Sequence, residues 1–374
     1  MRFFHVLMFL LLAAVFAFSI YYKHQSLYNE ATSNAEKTLQ MTLEMRASQL
    51  QNLVQTMRSE IRFWAESEQL REGMQSMVTA WDELAKQSPD GKAATLARRL
   101  YITDNPYYPN YMRDYKKAPD GSAYSDIHEK MHALLSGLTD QRGYYDVFLF
   151  NQAGDAIYTV YKEDDFGVNV IHGKYKDTSL AKGVQEVLNH TNLNHVALQD
   201  FIPYAPSNNA PASFIETILT DKENRTLGVL AFQLPIKPID KIMRNVSGLG
   251  KGVELLLVGQ DHTLRNNSVL NKEIKALSKK IHSQAVDDGL AGKRGLIRTT
   301  DYRNIETLTA YAPLDFSGNH WVLIAKQDVA AIYAPVEKAF KRWVIIISAL
   351  AILSLFLAWL LTRRKDDTRT TEDD

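Results

Sequence analysis

The chain contains no cysteine, which excludes both a disulfide framework and a thiolate nucleophile. It also lacks an excess of charge of either sign, because 43 Lys and Arg residues balance 43 Asp and Glu residues. A nucleic-acid partner usually requires a basic surface, so this balance gives no indication of one. A G-x-S-x-G nucleophile elbow is absent too. Together with the motifs discussed below, these absences lead us to predict no enzymatic activity, no cofactor, no metal and no nucleic-acid partner.

Two long apolar runs stand at the ends of the sequence. Residues 3–22 are interrupted only by His5 and Ser19, and residues 343–361 only by Ser348 and Ser354. Twenty helical residues span about 30 Å, the thickness of a bilayer core. We predict two transmembrane helices, an uncleaved anchor at 1–22 and a second helix at 343–362. A cleaved signal peptide is the alternative for the first, although no small-x-small cleavage site follows it.

The orientation is predicted from the Lys and Arg residues beside the second run. Those at 363–365 favour a cytoplasmic end, whereas those between 338 and 342 favour the opposite arrangement. A long domain is exported largely regardless of its charge. We therefore place both ends on the cytoplasmic side of the cytoplasmic (inner) membrane, with a short cytoplasmic tail at 363–374 and the main domain on the other side.

Residues 23–140 are predicted to form an extracytoplasmic helical stem and helical region, with one long helix from 25 to about 87. Apolar residues recur there at steps of three and four. These are Leu39, Leu43, Leu50, Leu53, Met57, Ile61 and Trp64. The stripe has two interpretations, packing on its own domain or pairing with another copy in a homodimer.

The pattern then changes to strands, which we divide into two modules at 141–245 and 246–342. The first has a hairpin at 146–150 and 156–161, a helix at 180–188, and strands at 196–204, 213–220 and 227–234. The second has strands at 253–258, 295–300, 306–312 and 321–326, with a helix at 272–288. The predicted fold class is α+β, with antiparallel sheets that carry helices on one face.

Several runs of this sequence resemble the double Cache (dCache) sensory domain of bacterial transducers. The first module carries GYYDVFLFN at 143–151, GD at 154–155, IYTVYKEDDFG at 157–167, DF at 200–201, PYAPSN at 203–208 and GVLAFQ at 228–233. The second carries YAPL at 311–314 and WVLIA at 321–325. The resemblance implies two PAS-like modules in series on a long helix. It also implies a small-molecule pocket in the membrane-distal module and signalling by small shifts of the membrane helices.

Relatives of this kind include methyl-accepting chemotaxis proteins, sensor histidine kinases and membrane-bound nucleotide cyclases. These receptors continue into a HAMP linker and an output domain, which this sequence does not contain. The expected signalling partner is therefore a separate protein, such as a kinase or a transducer, unless the chain is a shortened relative. The Tyr, Arg, Trp-Tyr and Asp pattern of the amino-acid-binding subfamily has no convincing copy here, so an amino-acid ligand is not supported.

The candidate ligand site rests on polar and aromatic residues in otherwise apolar strands of the first module. Alternate residues of a strand share a face, and aromatic walls with a few polar groups are typical of small-ligand sites. The predicted ligand-binding residues are Tyr158, Tyr161, Asp200, Tyr204, Phe214 and Glu216. The alternative interpretation is that these tyrosines cap the sheet and that the two carboxylates face solvent.

Two short motifs have weaker functional interpretations. The sequence HEKMH at 128–132 matches the zinc-protease pattern, but Leu135 and Leu138 replace the metzincin Gly and His. The glycines at 248–252 precede a strand, the reverse of a dinucleotide-binding loop.

We predict a membrane-bound sensor that binds a small extracytoplasmic molecule. The alternatives are a structural or assembly protein that docks another protein and, third, a zinc hydrolase.

Overall fold

The computed structural model describes residues 2–316 and 318–369, and the side chains of 2–10, 12, 358 and 360–369 are outside that description. The predicted long helix is divided at Ser67, whose hydroxyl accepts a hydrogen bond from the amide of Leu70 at 3.2 Å and caps the second helix. The helical region comprises α1 (Arg2–Glu66), α2 (Glu68–Gln87), α3 (Ala93–Arg98) and α4 (Ala123–Arg142).

The first module is a five-stranded antiparallel sheet in the order β2-β1-β5-β4-β3. Its strands are β1 (Asp146–Asn151), β2 (Ala156–Thr159), β3 (Val196–Tyr204), β4 (Ala210–Thr220) and β5 (Thr226–Pro235). Helix α5 (Ser179–Asn189) covers one face, and the helical region α1–α4 covers the other. The strands are as predicted, but the expectation of helices on one face only is wrong, because both faces of this sheet are apolar and each must be covered.

The second module repeats the plan with four antiparallel strands in the order β6-β9-β8-β7. Helix α6 (Lys237–Arg244) leads into it, and α7 lies against its sheet. Its elements are β6 (Val253–Gly259), α7 (Gln284–Leu290), β7 (Gly295–Thr300), β8 (Glu306–Phe316) and β9 (Asn319–Asp328).

The predicted helix at 272–288 is wrong over most of its length, since only its last residues belong to α7. The amide of Leu277 donates to the carbonyl of Leu264 at 2.8 Å, and the amide of Ile281 donates to the carbonyl of His262, also at 2.8 Å. These hydrogen bonds to residues 262 and 264 satisfy the backbone amides in place of helical hydrogen bonds. They also hold Ile274 and Ile281 buried against the sheet.

The apolar stripe of α1 packs on its own domain, as the first of the two interpretations above expects. Leu39, Leu50 and Ile61 are at most 1% exposed in the main core. A different side of the helix exposes Met41 and Phe63 to 70% and 68%.

The last helix, α8 (Val329–Arg369), contains the second apolar run. Among the described residues, one segment is long and apolar enough to cross a membrane, Val329–Leu357, with a mean hydropathy of 2.0. The backbone of the first run is helical as part of α1, but most of its side chains from residue 3 to 12 lie outside the described ones. The prediction for 3–22 is therefore not tested, and residues 370–374 of the predicted tail also lie outside the description.

Candidate functional site

The face of the first sheet beneath α5 is the strongest candidate for a ligand site. Alternate residues of β1, β4 and β5 point toward this face, and the apolar side of α5 closes over them. The hydroxyl of Thr178 caps α5 by accepting from the amide of Ala181 at 3.2 Å, which fixes where the helix begins. We call this the α5-covered face.

Three of the six predicted ligand-binding residues lie on the α5-covered face. Tyr204 and Phe214 pack edge to face with their ring centroids 4.9 Å apart, and both are fully buried. Glu216 follows Phe214 by two positions on β4 and is also fully buried. The strand alternation that predicted these residues therefore brings them together.

Tyr158 and Tyr161 lie away from this group. Tyr158 belongs to the main core, where its hydroxyl lies 3.0 Å from Nδ1 of His132 on α4. Tyr161 stacks on Tyr145 at 5.0 Å, with the guanidinium of Arg113 5.1 Å from its ring centroid. Their role as ligand contacts stays a prediction, but the structure gives each of them a protein partner.

Asp200 points toward the second module instead of toward Tyr204. The pairing of β3 with β4 is irregular between Gln199 and Ile202, so the alternation on which its prediction rested is interrupted there. Both carboxylate oxygens of Asp200 accept hydrogen bonds from Arg265, at 2.8 and 2.7 Å. Asp200 therefore links the two modules.

A cluster of carboxylates at one end of the α5-covered face was missed by sequence reasoning. It consists of Asp146, Glu163 and Asp165. After burial, the main cause, Asp165 and Glu163 both raise the pKa of Asp146, and Glu163 also raises that of Asp165. Asp146 and Asp165 are fully buried. Burial, the main cause, raises the pKa of Asp165 to about 7. The available signal was the acidic run at 163–165 directly after a strand rich in β-formers.

Glu216 has neither carboxylate oxygen hydrogen-bonded within the described part of the chain. A methyl group added at Gly183 of α5 would overlap its carboxyl, so the helix approaches it closely. Burial raises the pKa of Glu216 well above its ordinary value of 4.5, and Glu186 contributes in the same direction. An unpaired buried carboxyl on this face is a group that a ligand could satisfy.

We expect Glu216→Gln to stabilise the ligand-free protein at neutral pH. The raised pKa means that the folded state binds more protons than the unfolded state, so Glu216 costs stability as the pH rises above 4.5. The variant should remove this decline. Melting temperatures of both proteins between pH 5 and 8 measure it, and identical slopes would show that Glu216 is ionised without penalty.

The two histidines of the HEKMH motif lie on the buried side of α4. His128 and His132 are buried and nearly parallel, with ring centroids 5.7 Å apart. Nδ1 of His128 lies 2.7 Å from the carbonyl of Lys116. Among the described residues, no group of three or more His, Asp or Glu side chains is placed to hold a metal ion. The zinc-hydrolase alternative therefore has no support in the geometry, and the motif belongs to the core.

We expect this histidine pair to make the fold acid-sensitive. Burial is the main cause that lowers the pKa of His132, to about 3 from an ordinary value of 6.5. The unfolded state therefore binds more protons between these values, and stability is lost as the pH falls below 6.5. His132→Gln should lose less stability than the unsubstituted protein between pH 7 and 4.5 in thermal unfolding. An equal loss in both would exclude His132 as the cause.

Comparisons with known proteins agree with this architecture. A family profile described as "dCache_1: Cache domain" matches residues 23–336. A protein named "Probable chemoreceptor y4sI" of Sinorhizobium fredii is 24% identical over 251 residues, which is 66% of this chain and 30% of that protein. The present chain therefore spans less than a third of the length of that relative.

Two solved structures illustrate the similarity. The extracellular domain of the histidine kinase vpHK1S-Z8 superposes with a TM-score of 0.50 at 12% identity, covering 82% of this chain and 96% of that domain. The sensory domain of the Campylobacter jejuni chemoreceptor Tlp3 gives a TM-score of 0.48 at 14% identity, with coverages of 83% and 98%. At such low identity, the first of these likenesses shows a shared fold and nothing finer.

Proposed function

This chain belongs to the dCache_1 family of Cache domains, and from that premise we propose that it is a membrane-bound extracytoplasmic sensor that binds a small molecule on the α5-covered face. The family is one of sensory domains, and the curated relative is a chemoreceptor by name. The proposed ligand site includes Tyr204, Phe214 and Glu216.

The observation that supports this proposal is a group of buried side-chain oxygen atoms on the α5-covered face that accept no hydrogen bond from the described residues. Buried polar groups are nearly always paired in folded proteins. Here both oxygens of Glu216, Oδ1 of Asp165 and Oε1 of Gln233 are buried without a hydrogen-bond partner in the described chain. A bound molecule with donor groups would supply those partners. The docking-protein alternative has no comparable observation in its favour.

The proposed relay runs from the first module through Asp200 and Arg265 into the second, whose last strand, β9, leads directly into α8. A ligand can shift such an equilibrium only by the difference in its affinity for the two arrangements. We place the domain outside the cytoplasmic membrane, with α8 and the first run as anchors and a separate kinase or transducer as the receiver.

The proposed homodimer would use the exposed side of α1. Met41, Met45 and Phe63 project there with 70%, 45% and 68% of their surfaces exposed. Because the chain has no native cysteine, a Cys introduced at Met45 is the only thiol present. We expect disulfide-linked dimers of Met45→Cys in membranes, whereas the same substitution at buried Leu50 is the matched control and should give none. A monomeric Met45→Cys under oxidation would contradict the dimer.

Ligand binding itself is tested by melting the full-length chain in detergent against a library of charged and neutral metabolites. A compound that binds only the folded state must raise the melting temperature. Glu216→Ala should weaken the response to any such compound, while Glu83→Ala on the exposed surface of α2 should not. If no compound in the library raised the melting temperature of the unsubstituted chain, the sensor proposal would lose its basis.

A further inference from the structure

Arg46 of α1 is a buried cation that contacts no acid. It is 6% exposed, and among the described residues no carboxylate oxygen lies within 4.0 Å of its guanidinium. Its Nη1 donates to Oε1 of Gln49 at 2.7 Å, and its Nη2 donates to the backbone carbonyl of Asn245, the residue after α6. Its Nε is buried and has no hydrogen-bond partner in the described chain. The guanidinium therefore meets only neutral acceptors.

Other buried cations of this chain are compensated by carboxylates. The ammonium of Lys326, a residue of β9 that is 2% exposed, lies 2.8 Å from Oε2 of Glu254 on the neighbouring strand β6, and it also pairs with Asp301. Arg265 pairs with two carboxylates as well, one from each module. This compensation is expected, because a buried charge is costly unless it is paired.

Lys162, the fourth buried cation among the described residues, can avoid the cost in a different way. Burial lowers its pKa to about 7, so it can lose its proton near neutral pH. Burial also lowers the pKa of Arg46, but from an ordinary value of 12.5, and a guanidinium stays protonated in proteins. Arg46 is therefore a permanent positive charge that lacks an anion.

Arg46 lines a groove of about 500 Å³ between α1 and α6. Lys241 lines it too and adds a second positive charge, while Gln49, Asn52 and Thr56 contribute neutral polar groups. None of the described residues that line the groove is acidic. A volume of this size lies in the range of small-molecule sites and exceeds what a single inorganic ion fills. The groove therefore has the charge and the room for an organic anion.

The end of α6 does not supply the missing negative charge. Its last carbonyls together carry only roughly half an elementary charge, and Lys241 and Arg244 already lie in that last turn. The one acid of this helix, Asp240, accepts from the amide of Asn267 at 2.8 Å and lies 3.6 Å from Arg244. Positive charge therefore exceeds negative charge at this place.

We propose that this groove is a second binding site, separate from the α5-covered face, which takes a small organic oxyanion, either a carboxylate or a phosphate ester, on Arg46 and Lys241. The planar, forked guanidinium matches both groups in geometry. The site lies between α1, which packs on both sheets, and α6, which connects β5 of the first module to β6 of the second. A bound anion fixes this connection against the stem.

Isothermal titration calorimetry of the full-length chain in detergent tests the site. The probes are succinate and citrate as carboxylates and glycerol phosphate as a phosphate ester, with sodium chloride at equal ionic strength as the control. We expect saturable binding of at least one probe and none of chloride, and the relative affinities distinguish the two kinds of oxyanion. If none of the three probes bound, the proposal would be overturned.

Substitutions then locate the bound anion. Arg46→Met should weaken its binding by at least about tenfold, because a hydrogen bond between charged groups is lost. Lys241→Ala changes an exposed residue, which leaves the core intact, and should weaken binding by about two- to fivefold. Lys86→Ala removes the same charge from the exposed end of α2 and should leave the affinity unchanged. Equal affinities in all four proteins would place the anion elsewhere and refute the assignment.

A carboxylate from a second copy of the chain is the competing source of the anion. The structure favours a free anion, because the exposed apolar residues Met41 and Phe63 lie on a different side of α1 from Arg46. If a second copy covered Arg46, the probes would not bind, and Arg46→Met would dissociate a dimer in sedimentation velocity. That pair of results would replace the proposed site with an interface.

Discussion

Replacing Lys326 with Met should destabilise the second module by about 3–5 kcal/mol, the usual cost of removing one partner of a buried ion pair. Burial alone would raise the pKa of Glu254, but the charge of Lys326 and the hydrogen bonds from Lys326, Ser268 and Tyr302 outweigh it and lower that pKa. Asp301 has a lowered pKa for a similar reason. Without the ammonium, Glu254 is buried with no cation within 4 Å among the described residues, whereas Asp301 keeps its ion pair with Arg303 at 2.7 Å.

Thermal unfolding of the full-length chain, followed by tryptophan fluorescence, measures this loss, since Trp321 is buried in the second module. Lys293→Met is the matched control, because Lys293 makes a single ion pair with Asp288 at 2.7 Å on the surface, where such pairs contribute little. Adding Glu254→Gln to Lys326→Met should recover part of the stability. An unchanged melting temperature for Lys326→Met would mean that the pair is not buried as described.

The same lysine also gives the second module an acid limit. Because the pKa values of Glu254 and Asp301 are lowered in the folded state, the stability they provide is present at neutral pH and is lost as the pH falls through those lowered values. The carboxylates of the first module behave in the opposite sense, since the pKa of Asp165 is raised to about 7. The two modules therefore differ in electrostatics although they share one plan.

Strand alternation was enough to predict the strands and to place three of the six candidate ligand-binding residues on one face. It grouped Tyr204, Phe214 and Glu216 correctly, because β4 is regular over that stretch. It failed at Asp200, since an irregularity in the pairing of β3 reverses the side on which a residue projects, and no residue pattern marked it. Local sequence therefore places residues on faces only where the pairing is uninterrupted.

The carboxylate cluster and the module-linking pair depend on contacts between distant parts of the chain. Asp146 begins a run of apolar residues that reads as a buried strand, and nothing near it indicates that Asp165 will be its neighbour. Arg265 lies in a segment of irregular backbone between β6 and α7, where the helical pattern of 272–288 was misleading. Such pairings follow from tertiary packing, which single-sequence reasoning does not supply.

The pair of Asp200 and Arg265 should hold the two modules in one arrangement. Arg265 is 1% exposed, donates two hydrogen bonds to Asp200, and lies 2.9 Å from Asp261. A side chain at Gly259 would collide with its guanidinium, so the planar group is closely packed. A lysine has neither the forked geometry nor the flat shape, so Arg265→Lys is not a conservative change here.

We expect Arg265→Met to lower stability by about 1–3 kcal/mol, because it removes hydrogen bonds between charged groups while Asp200 keeps some contact with solvent. We also expect faster tryptic cleavage at Lys251, in the exposed glycine-rich joint at 248–252 between the modules. A double-mutant cycle with Asp200→Asn isolates the pair, and its coupling energy should exceed about 0.5 kcal/mol. Strict additivity of the two substitutions, with cleavage at Lys251 unchanged, would contradict this role of the pair. The modules would then be held together by the contact of Phe201 with Trp321 and its neighbours. The relay proposed above would need another route.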